Sequence, residues 1–207
     1  MILYVSRHAR TEGNAGGALL GRSDEPLTAQ GIVEAERLGR WLADRGIDRI
    51  FSSPQRRAYE TAKIVAQSLP GRIEVRTDER LREMDFGIFE GLNLEEIAKQ
   101  FPELHQQRRL DKLNFTIPEG ESYQLVYDRM VSFLREQSGK SATLVITHGT
   151  ALKLLLLAVT SMSLAEIESF RYGNTALFAF DLPGDEKNLK GKVLLFNSLA
   201  HLDESNG

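Results

Sequence analysis

The sequence predicts an α/β fold, in which helices cover both faces of a central sheet. The first observation is a pair of short, continuous apolar runs, "ILYVS" near the N-terminus and "ATLVIT" later in the chain. Continuous apolar runs are typical of strands that are buried on both faces. The second observation is that segments with apolar residues at helical spacing separate these runs. The length agrees, because 207 residues, 42% of them hydrophobic, can bury the core of one domain spanning residues 1–207.

The N-terminal third alternates strand and helix. The run "ILYVS" is the first strand, and "IDRIFSS" is the second. The helix between them has Thr28 placed as its N-cap and Gly46 placed to end it. Another helix follows Ser53 and Pro54, which are start signals, and stops at the dipeptide "PG".

The middle and C-terminal parts continue the alternation with one unclear stretch. "IEVRTD" is a strand, "LREMDFGIFEG" an irregular loop, and "NLEEIAKQF" a helix capped by Asn93, whereas the polar stretch from Pro102 to Pro118 shows no pattern. A helix then precedes the strand "ATLVIT", and "GTALKLLLLAV" and "LAEIESF" are helices. Two late strands flank the hairpin loop "GDEKNLKG", and the tail after Leu202 is expected to be frayed.

Composition excludes several classes of function. The net charge of −3 and the pI near 5.9 give no overall attraction for nucleic acid or for an anionic membrane. The absence of cysteine excludes disulfides and thiolate chemistry. No run approaches the roughly 18 apolar residues of a membrane span, and the opening "MILYV" is too short for a signal peptide. We therefore expect a cytoplasmic protein without nucleic-acid or membrane partners.

Three predicted strands run into clusters of basic and hydroxyl side chains. The clusters are Arg7-His8, Ser52-Ser53 followed by Arg56-Arg57, and His148-Gly149. Ligand sites of open α/β sheets lie beyond the carboxyl ends of the strands, so the three clusters are expected to converge. A single histidine after a strand is more often a structural residue. Two such histidines with arginines beside them indicate a functional site.

Arginines around a histidine suit phosphate chemistry. One guanidinium group can bind two phosphate oxygens at once and offset their charge. The unprotonated nitrogen of a neutral imidazole can attack phosphorus. The leaving alkoxide then needs a proton, for which Glu83 in "LREMDFG" is the candidate, although a loop glutamate considered alone is more often solvated surface.

Two other kinds of site are weaker. "GGALLGRS" has the glycine spacing of a phosphate-binding P-loop, but Arg22 stands where lysine belongs and no helix follows directly. A metal site is disfavoured because the four histidines, at positions 8, 105, 148 and 201, lie far apart and arginines would repel a cation.

Five separated motifs, "RHARTEGN", "DEPLTAQG", "SSPQRRAYETA", "LREMDFGIFEG" and "VITHG", occur in this order. Together they resemble the histidine phosphatase superfamily, also called the phosphoglycerate mutase-like family, from Leu3 to His201. The resemblance implies a three-layer α/β/α sandwich with a mostly parallel central sheet. It also implies hydrolysis of a small phosphorylated metabolite without metal or cofactor, and it is compatible with a homodimer.

Carried over by position, the resemblance makes His8 the nucleophile that becomes phosphohistidine and Glu83 the proton donor. Arg57 is preferred over Arg56, because the family's arginine directly precedes the alanine. The phosphate pocket would consist of Arg7, Arg57 and His148. Further substrate-binding positions are Asn14, Arg22, Gly149 and Thr150.

Within the family, the residues favour hydrolysis over phosphoglycerate mutase activity. Mutases carry a long insertion for which the chain leaves no room, and Leu94 and Thr150 replace the mutase's lysine and asparagine. Against this, Arg108-Arg109 lie about where mutases place an arginine pair for the substrate carboxylate. A non-catalytic phosphate-binding module is disfavoured because the nucleophile, the acid and the second histidine are all present.

The phosphatase branches that look similar are the broad-specificity and the α-ribazole phosphatase branches. The similarity rests on length, on "LREMDFGIFEG" and on the closing "NSLAHL". His201 in this closing segment has two interpretations, a residue that reaches the substrate entrance or a surface histidine. Ala9 departs from the family's usual glycine and adds one methyl group near the pocket.

Overall fold

The computed structural model of the chain describes residues 1–15, 17–137 and 142–203. Within these ranges the strands form one six-stranded sheet in the order β3-β2-β4-β1-β5-β6. The strands are β1 (Ile2–Arg7), β2 (Ile47–Ser52), β3 (Val75–Thr77), β4 (Ala142–Thr147), β5 (Leu177–Asp181) and β6 (Lys192–Ser198). The first four are parallel to one another, whereas β5 and β6 are antiparallel to their neighbours.

Helices cover both faces of this sheet. They are α1 (Ala29–Leu42), α2 (Arg56–Ser68), α3 (Leu94–Gln100), α4 (Pro102–Leu110), α5 (Tyr123–Gln137), α6 (Gly149–Val159) and α7 (Leu164–Ser169). One core joins α1 and α2 to one face of β2 and β4, and a larger core joins α5 and α6 to the other face. The predicted three-layer α/β/α sandwich with a mostly parallel sheet is confirmed. None of the helices in the described ranges combines the length and the apolar character needed to cross a bilayer.

Most element signals in the sequence correspond to observed structure. The Thr28 hydroxyl accepts a hydrogen bond from the Gly31 amide and caps α1, as predicted. Asn93 caps α3 and forms a capping box with Glu96. The hydrogen bonds of these side chains satisfy backbone amides that the first helical turn leaves free.

Three local predictions were wrong or incomplete. The stretch from Pro102 to Pro118 contains α4, whose mostly polar residues hide the helical period. The strand predicted over "IEVRTD" shrinks to the three residues of β3. Helix α2 begins at Arg56, two residues after Pro54, and Gln55 rather than Ser53 stands at its N-cap position. The predicted fraying of the tail concerns residues 204–207, which lie outside the described ranges.

The strand order decides where the polar clusters meet. β4 lies between β1 and β2, and Arg7 pairs with Thr147 while Ser52 pairs with Ile146 in the parallel register. The carboxyl ends of all three strands are therefore level at one edge of the sheet. The residues that follow them converge there, as the sequence predicted.

Candidate active site

His8 and His148 are neighbours at this edge of the sheet. Their ring centroids are 5.2 Å apart, with 56° between the ring planes. Both side chains are buried. His8 lines a cleft of about 610 Å³, whereas His148 does not line it in the described structure.

The hydrogen bond made by His8 determines which ring nitrogen is reactive. His8 Nδ1 lies 2.7 Å from the carbonyl oxygen of Ala9. A carbonyl can only accept, so Nδ1 carries the proton and Nε2 of the neutral ring keeps its lone pair. The ring is thus in the tautomer that a nucleophile needs.

The backbone around His8 is held on several sides. Its amide donates to Thr147 O at 2.8 Å, and Asn174 Nδ2 donates to its carbonyl at 3.0 Å. The Ala9 amide donates to Thr61 Oγ1 at 3.0 Å. The Ala9 methyl group is fully buried and lies outside the cleft lining as described, so the departure from glycine adds nothing to the cleft wall.

Burial and nearby cations keep the His8 ring neutral. Burial, followed by the positive charges of Arg7 and Arg57, holds the pKa of His8 well below 6.5. The same causes, led by burial, lower the pKa of His148. A protonated ring would add a third cation to this end of the cleft.

Arg7 and Arg57 bring their guanidinium groups to the cleft from β1 and α2. Arg7 Nη1 donates to Tyr172 O at 2.9 Å, and Arg57 Nη2 donates to Gly21 O at 2.8 Å. The Nε atom of each arginine is buried and has no hydrogen-bond partner among the described residues. Buried donors without partners are costly, so the geometry suits an anion that would bind between them.

Glu83 lies at the N-terminus of α6. Its Oε2 accepts from the Thr150 amide at 3.1 Å, and its Oε1 accepts from the amides of Ala151 and Met84 at 3.1 and 2.8 Å. These three hydrogen bonds hold the carboxyl group of Glu83 beside the first turn of α6. A Cβ atom at Gly149 would lie 3.6 Å from Glu83 Oε2 and 3.9 Å from Arg7 Nε, so Gly149 sits beside both groups.

Two residues that sequence reasoning missed hold the backbone of Glu83. Gln55 Oε1 accepts from the Glu83 amide at 2.7 Å, and Gln55 Nε2 donates to Gly21 O at 3.0 Å. Arg129 on α5 donates to the carbonyls of Arg82 and Glu83 at 2.7 and 3.2 Å. Gln55 lies within the motif "SSPQRRAYETA" and could have been found, whereas nothing in the sequence around Arg129 indicates its contact with this loop.

His148 is anchored by a hydroxyl group. Its Nε2 lies 2.8 Å from Ser53 Oγ, which also accepts from the Gln55 amide at 3.2 Å. His148 Nδ1 is buried and without a partner in the described part of the chain. The hydroxyl cluster after β2 thus orients the second histidine.

Several predicted residues are not brought to the cleft. The Arg22 guanidinium instead faces Asp85, with Nε 3.2 Å from Oδ2. Arg56, over which Arg57 was preferred, pairs with Glu60 on the outside of α2. His201 is buried rather than at the entrance or on the surface: its Nε2 lies 3.0 Å from Thr175 Oγ1, and burial lowers its pKa to about 4. The side chain of Asn14 lies outside the described part of the structure.

The arginine pair considered for a substrate carboxylate also lies elsewhere. Arg108 is buried with its guanidinium carbon 5.9 Å from the centre of the Tyr123 ring, and Arg109 is exposed. Neither belongs to the cleft lining as the structure describes it. The side chain of Leu94 does line the cleft and is 60% exposed.

The cleft contains residues that sequence analysis did not single out. The large apolar and aromatic residues that line it are Leu19, Leu20, Phe86, Leu94, Phe170 and Tyr172. Charged side chains away from His8 are Lys112, Lys153, Glu168 and Arg171. Gly149 and Thr150 also line the cleft, as expected. A second depression of about 360 Å³, beside Ile47–Ile50 and residues 70–74, contains none of the predicted site residues.

The chain matches a known protein family and resembles solved structures. It matches the "Histidine phosphatase superfamily (branch 1)" over residues 3–193. It is 31% identical to a Hydrogenobacter thermophilus protein named phosphoserine phosphatase 2, over 96% of each chain. It is also 31% identical to an Escherichia coli protein named phosphoglycerate mutase GpmB, over 97% of this chain and 94% of that one.

A solved structure agrees with this assignment. The α-ribazole phosphatase from Shigella flexneri superposes with a TM-score of 0.82 at 27% identity, covering 97% of this chain and 98% of that one. The family match, the identities and the arrangement of buried histidines and arginines support one conclusion: this chain belongs to the histidine phosphatase superfamily.

Proposed function

We propose that the protein hydrolyses small phosphomonoesters in two steps through a phosphohistidine on His8. The observation that carries the proposal is the hydrogen bond from His8 Nδ1 to Ala9 O, which leaves Nε2 unprotonated in the cleft. Arg7, Arg57 and Glu83 line the same cleft. Its volume of about 610 Å³ suits a small metabolite.

In the first step the phosphate of the substrate binds between Arg7 and Arg57, whose Nε atoms lack partners in the described structure. His8 Nε2 attacks phosphorus, an N–P bond forms, and the bond between phosphorus and the leaving oxygen breaks. Glu83 in its carboxylic acid form gives its proton to that oxygen. The arginines stabilise the charge on the transferring group.

In the second step the Glu83 carboxylate takes a proton from water as the water oxygen attacks phosphorus. The N–P bond breaks, phosphate leaves, and His8 returns to its neutral form. His148, with the Ser53 hydroxyl 2.8 Å away, supports the phosphate end of the cleft. We also propose that residues 1–207 act as one catalytic domain in the cytoplasm.

Hydrolysis of an aryl phosphate without added metal tests this function. We expect the purified protein to release 4-nitrophenol from 4-nitrophenyl phosphate at the same rate with and without a chelator, because side chains supply every proposed charge-stabilising group. Enzyme that has been treated with chelator and then dialysed is the control for residual metal. Activity that disappears on this treatment and returns with Mg²⁺ or Zn²⁺ would contradict the mechanism.

Phosphoglycerate mutase activity is the second candidate, favoured by the 31% identity to GpmB. The positions of Arg108 and Arg109 outside the cleft lining argue against it. We expect incubation with 3-phosphoglycerate and a catalytic amount of 2,3-bisphosphoglycerate to yield phosphate faster than 2-phosphoglycerate. If isomerisation is faster than phosphate release, this expectation is wrong. Loss of isomerisation in Arg108→Ala would then show that Arg108 takes part in the mutase reaction.

The electrostatic surroundings of His8 predict a resistance to protonation. Because burial, Arg7 and Arg57 lower its pKa, the ring should stay neutral as the pH falls through 6.5. NMR titration of isotope-labelled histidine in the free protein measures this pKa directly. Arg57→Met removes one positive neighbour and is expected to raise the pKa of His8. An unchanged pKa in this variant would mean that Arg57 does not influence the ring.

A further inference from the structure

The cleft has a second charged end, which the proposed chemistry at His8 does not use. It is formed by Lys112 between α4 and α5, Lys153 on α6, and Glu168 on α7, here called the lysine–glutamate cluster. Glu168 Oε2 lies 2.6 Å from Lys112 Nζ, and Glu168 Oε1 lies 4.0 Å from Lys153 Nζ. The Tyr123 hydroxyl donates to Glu168 Oε1 at 3.1 Å.

Lys153 is the member of the cluster that is available to a ligand. Lys112 and Tyr123 each donate to one carboxylate oxygen of Glu168, whereas 4.0 Å is too long for a hydrogen bond from Lys153. Burial lowers the pKa of Lys153, although the charge of Glu168 opposes this effect. The ammonium group of Lys153 is partly buried and has no close hydrogen-bond acceptor in Glu168, so a bound anion would give it a strong hydrogen-bond partner.

The helix places Lys153 beside the reacting end of the cleft. Gly149 and Lys153 are four residues apart on α6 and therefore lie on one face, with about 6 Å of helical rise between them. Helical side chains lean toward the N-terminus, which here is the end that carries Glu83. A group a few bonds away from the phosphate of a compact substrate would thus lie within reach of Lys153.

The charges that line the cleft favour an additional negative group on the substrate. Among the described lining residues, the cations are Arg7, Arg57, Lys112, Lys153 and Arg171, and the carboxylates are Glu83 and Glu168. With Glu168 ionised and Glu83 in the acid form that the first step requires, a bound phosphate dianion leaves two positive charges uncompensated. A carboxylate on the substrate compensates one of them at the end of the cleft that carries Lys153.

We propose that Lys153 binds a carboxylate on the leaving group and so selects phosphorylated hydroxy acids over neutral phosphomonoesters. An ammonium group on the substrate is the poorer fit, because Lys112 and Lys153 line this end of the cleft and would repel it. Glu168 acts as a positioning residue that holds Lys112 and limits the positive charge of this end. The inference rests on the proposed phosphatase activity for its role in selecting substrates.

Two substrates with the same three-carbon skeleton test the inference, 3-phosphoglycerate and glycerol 3-phosphate. We expect the kcat/KM of the wild type to be about tenfold higher for 3-phosphoglycerate than for glycerol 3-phosphate, mainly because KM is lower. Tenfold is the effect on binding that one ion pair at a partly solvated site typically has. Lys153→Met keeps the side-chain length and should remove most of this preference. Glu168→Gln should increase it, because it removes the competing negative charge. Lys63→Met, an exposed lysine on α2, is the matched control that should leave the preference unchanged.

A binding measurement separates failure of this inference from failure of the proposed function. Calorimetry in the His8→Ala background gives the Kd of both compounds without turnover, and Lys153→Met in that background should weaken only 3-phosphoglycerate. If the wild type hydrolyses neither compound nor an aryl phosphate, the proposed function fails while the Kd values still decide the role of Lys153. An equal effect of Lys153→Met on both compounds, or a wild-type preference for glycerol 3-phosphate, would overturn the inference.

Discussion

Replacing His8 with alanine is expected to reduce the hydrolysis of 4-nitrophenyl phosphate to the background rate, a loss of at least about 10⁴-fold. The reason is that, among the side chains described as lining the cleft, only His8 offers an unprotonated ring nitrogen, and it lies within the electrostatic influence of Arg7 and Arg57. Steady-state release of 4-nitrophenol measures the effect.

The matched control for this variant is His105→Ala. His105 lies on α4 and does not belong to the described cleft lining, so its loss should leave the rate within about twofold, the usual scale for a change away from a site. Circular dichroism and thermal melting of both variants check the fold. A His8→Ala enzyme that is folded and retains near-normal turnover would show that another residue is the nucleophile.

Replacing Glu83 with glutamine is expected to slow turnover by roughly 10² to 10⁴ and to make a phosphoenzyme accumulate. Glutamine can neither protonate the leaving oxygen nor take a proton from water. An aryl phosphate still phosphorylates His8, because 4-nitrophenolate leaves without help, while hydrolysis of the N–P bond becomes slow. Rapid quenching followed by mass spectrometry detects the phosphoryl group, which should be labile in acid and stable in base.

The site of phosphorylation decides the outcome for Glu83. A phosphoryl group on His8 supports the mechanism, and one on Ser6, Ser52 or Ser53 contradicts it. Glu36→Gln, an exposed glutamate on α1, is the matched control and should show neither slow turnover nor accumulation. A normal rate in Glu83→Gln would remove this residue from the proton transfers.

The convergence of the site could be predicted because backbone geometry alone determines it. Arg7 is the last residue of β1, and His8 and His148 directly follow β1 and β4. These strands are parallel and in register, so the sheet brings the three residues together whatever their side chains do. Arg57 lies in the first turn of the helix after β2 and follows the same logic. Glu83 had to be inferred from the family resemblance, since an irregular loop carries no period from which its position could be read.

The other residues of the site are placed by the directions of their side chains, and a sequence pattern does not predict those directions. Arg22 follows the cleft residue Gly21 in the chain, yet its side chain pairs with the carboxylate of Asp85 and does not line the cleft as described. Lys153 was hidden in a helix that reads as apolar, and Glu168 in a short helix that reads as surface. Lys112 belongs to the polar stretch whose fold gave no signal. The residues that we propose to determine substrate specificity, Lys112, Lys153 and Glu168, were therefore the least predictable part of the site.

The carbonyl oxygen of Gly21 accepts hydrogen bonds from both Arg57 and Gln55, and this double contact limits how new specificities can arise. Any change that shifts this rim of the cleft also shifts Arg57, which is proposed to bind the phosphate, and Gln55, which accepts from the Glu83 amide. Leu94 and Phe170, which also line the cleft, have no such link to Arg57 or Gln55 among the described hydrogen bonds. Directed evolution toward other leaving groups should therefore collect its substitutions at these two positions and leave residues 21–23 unchanged.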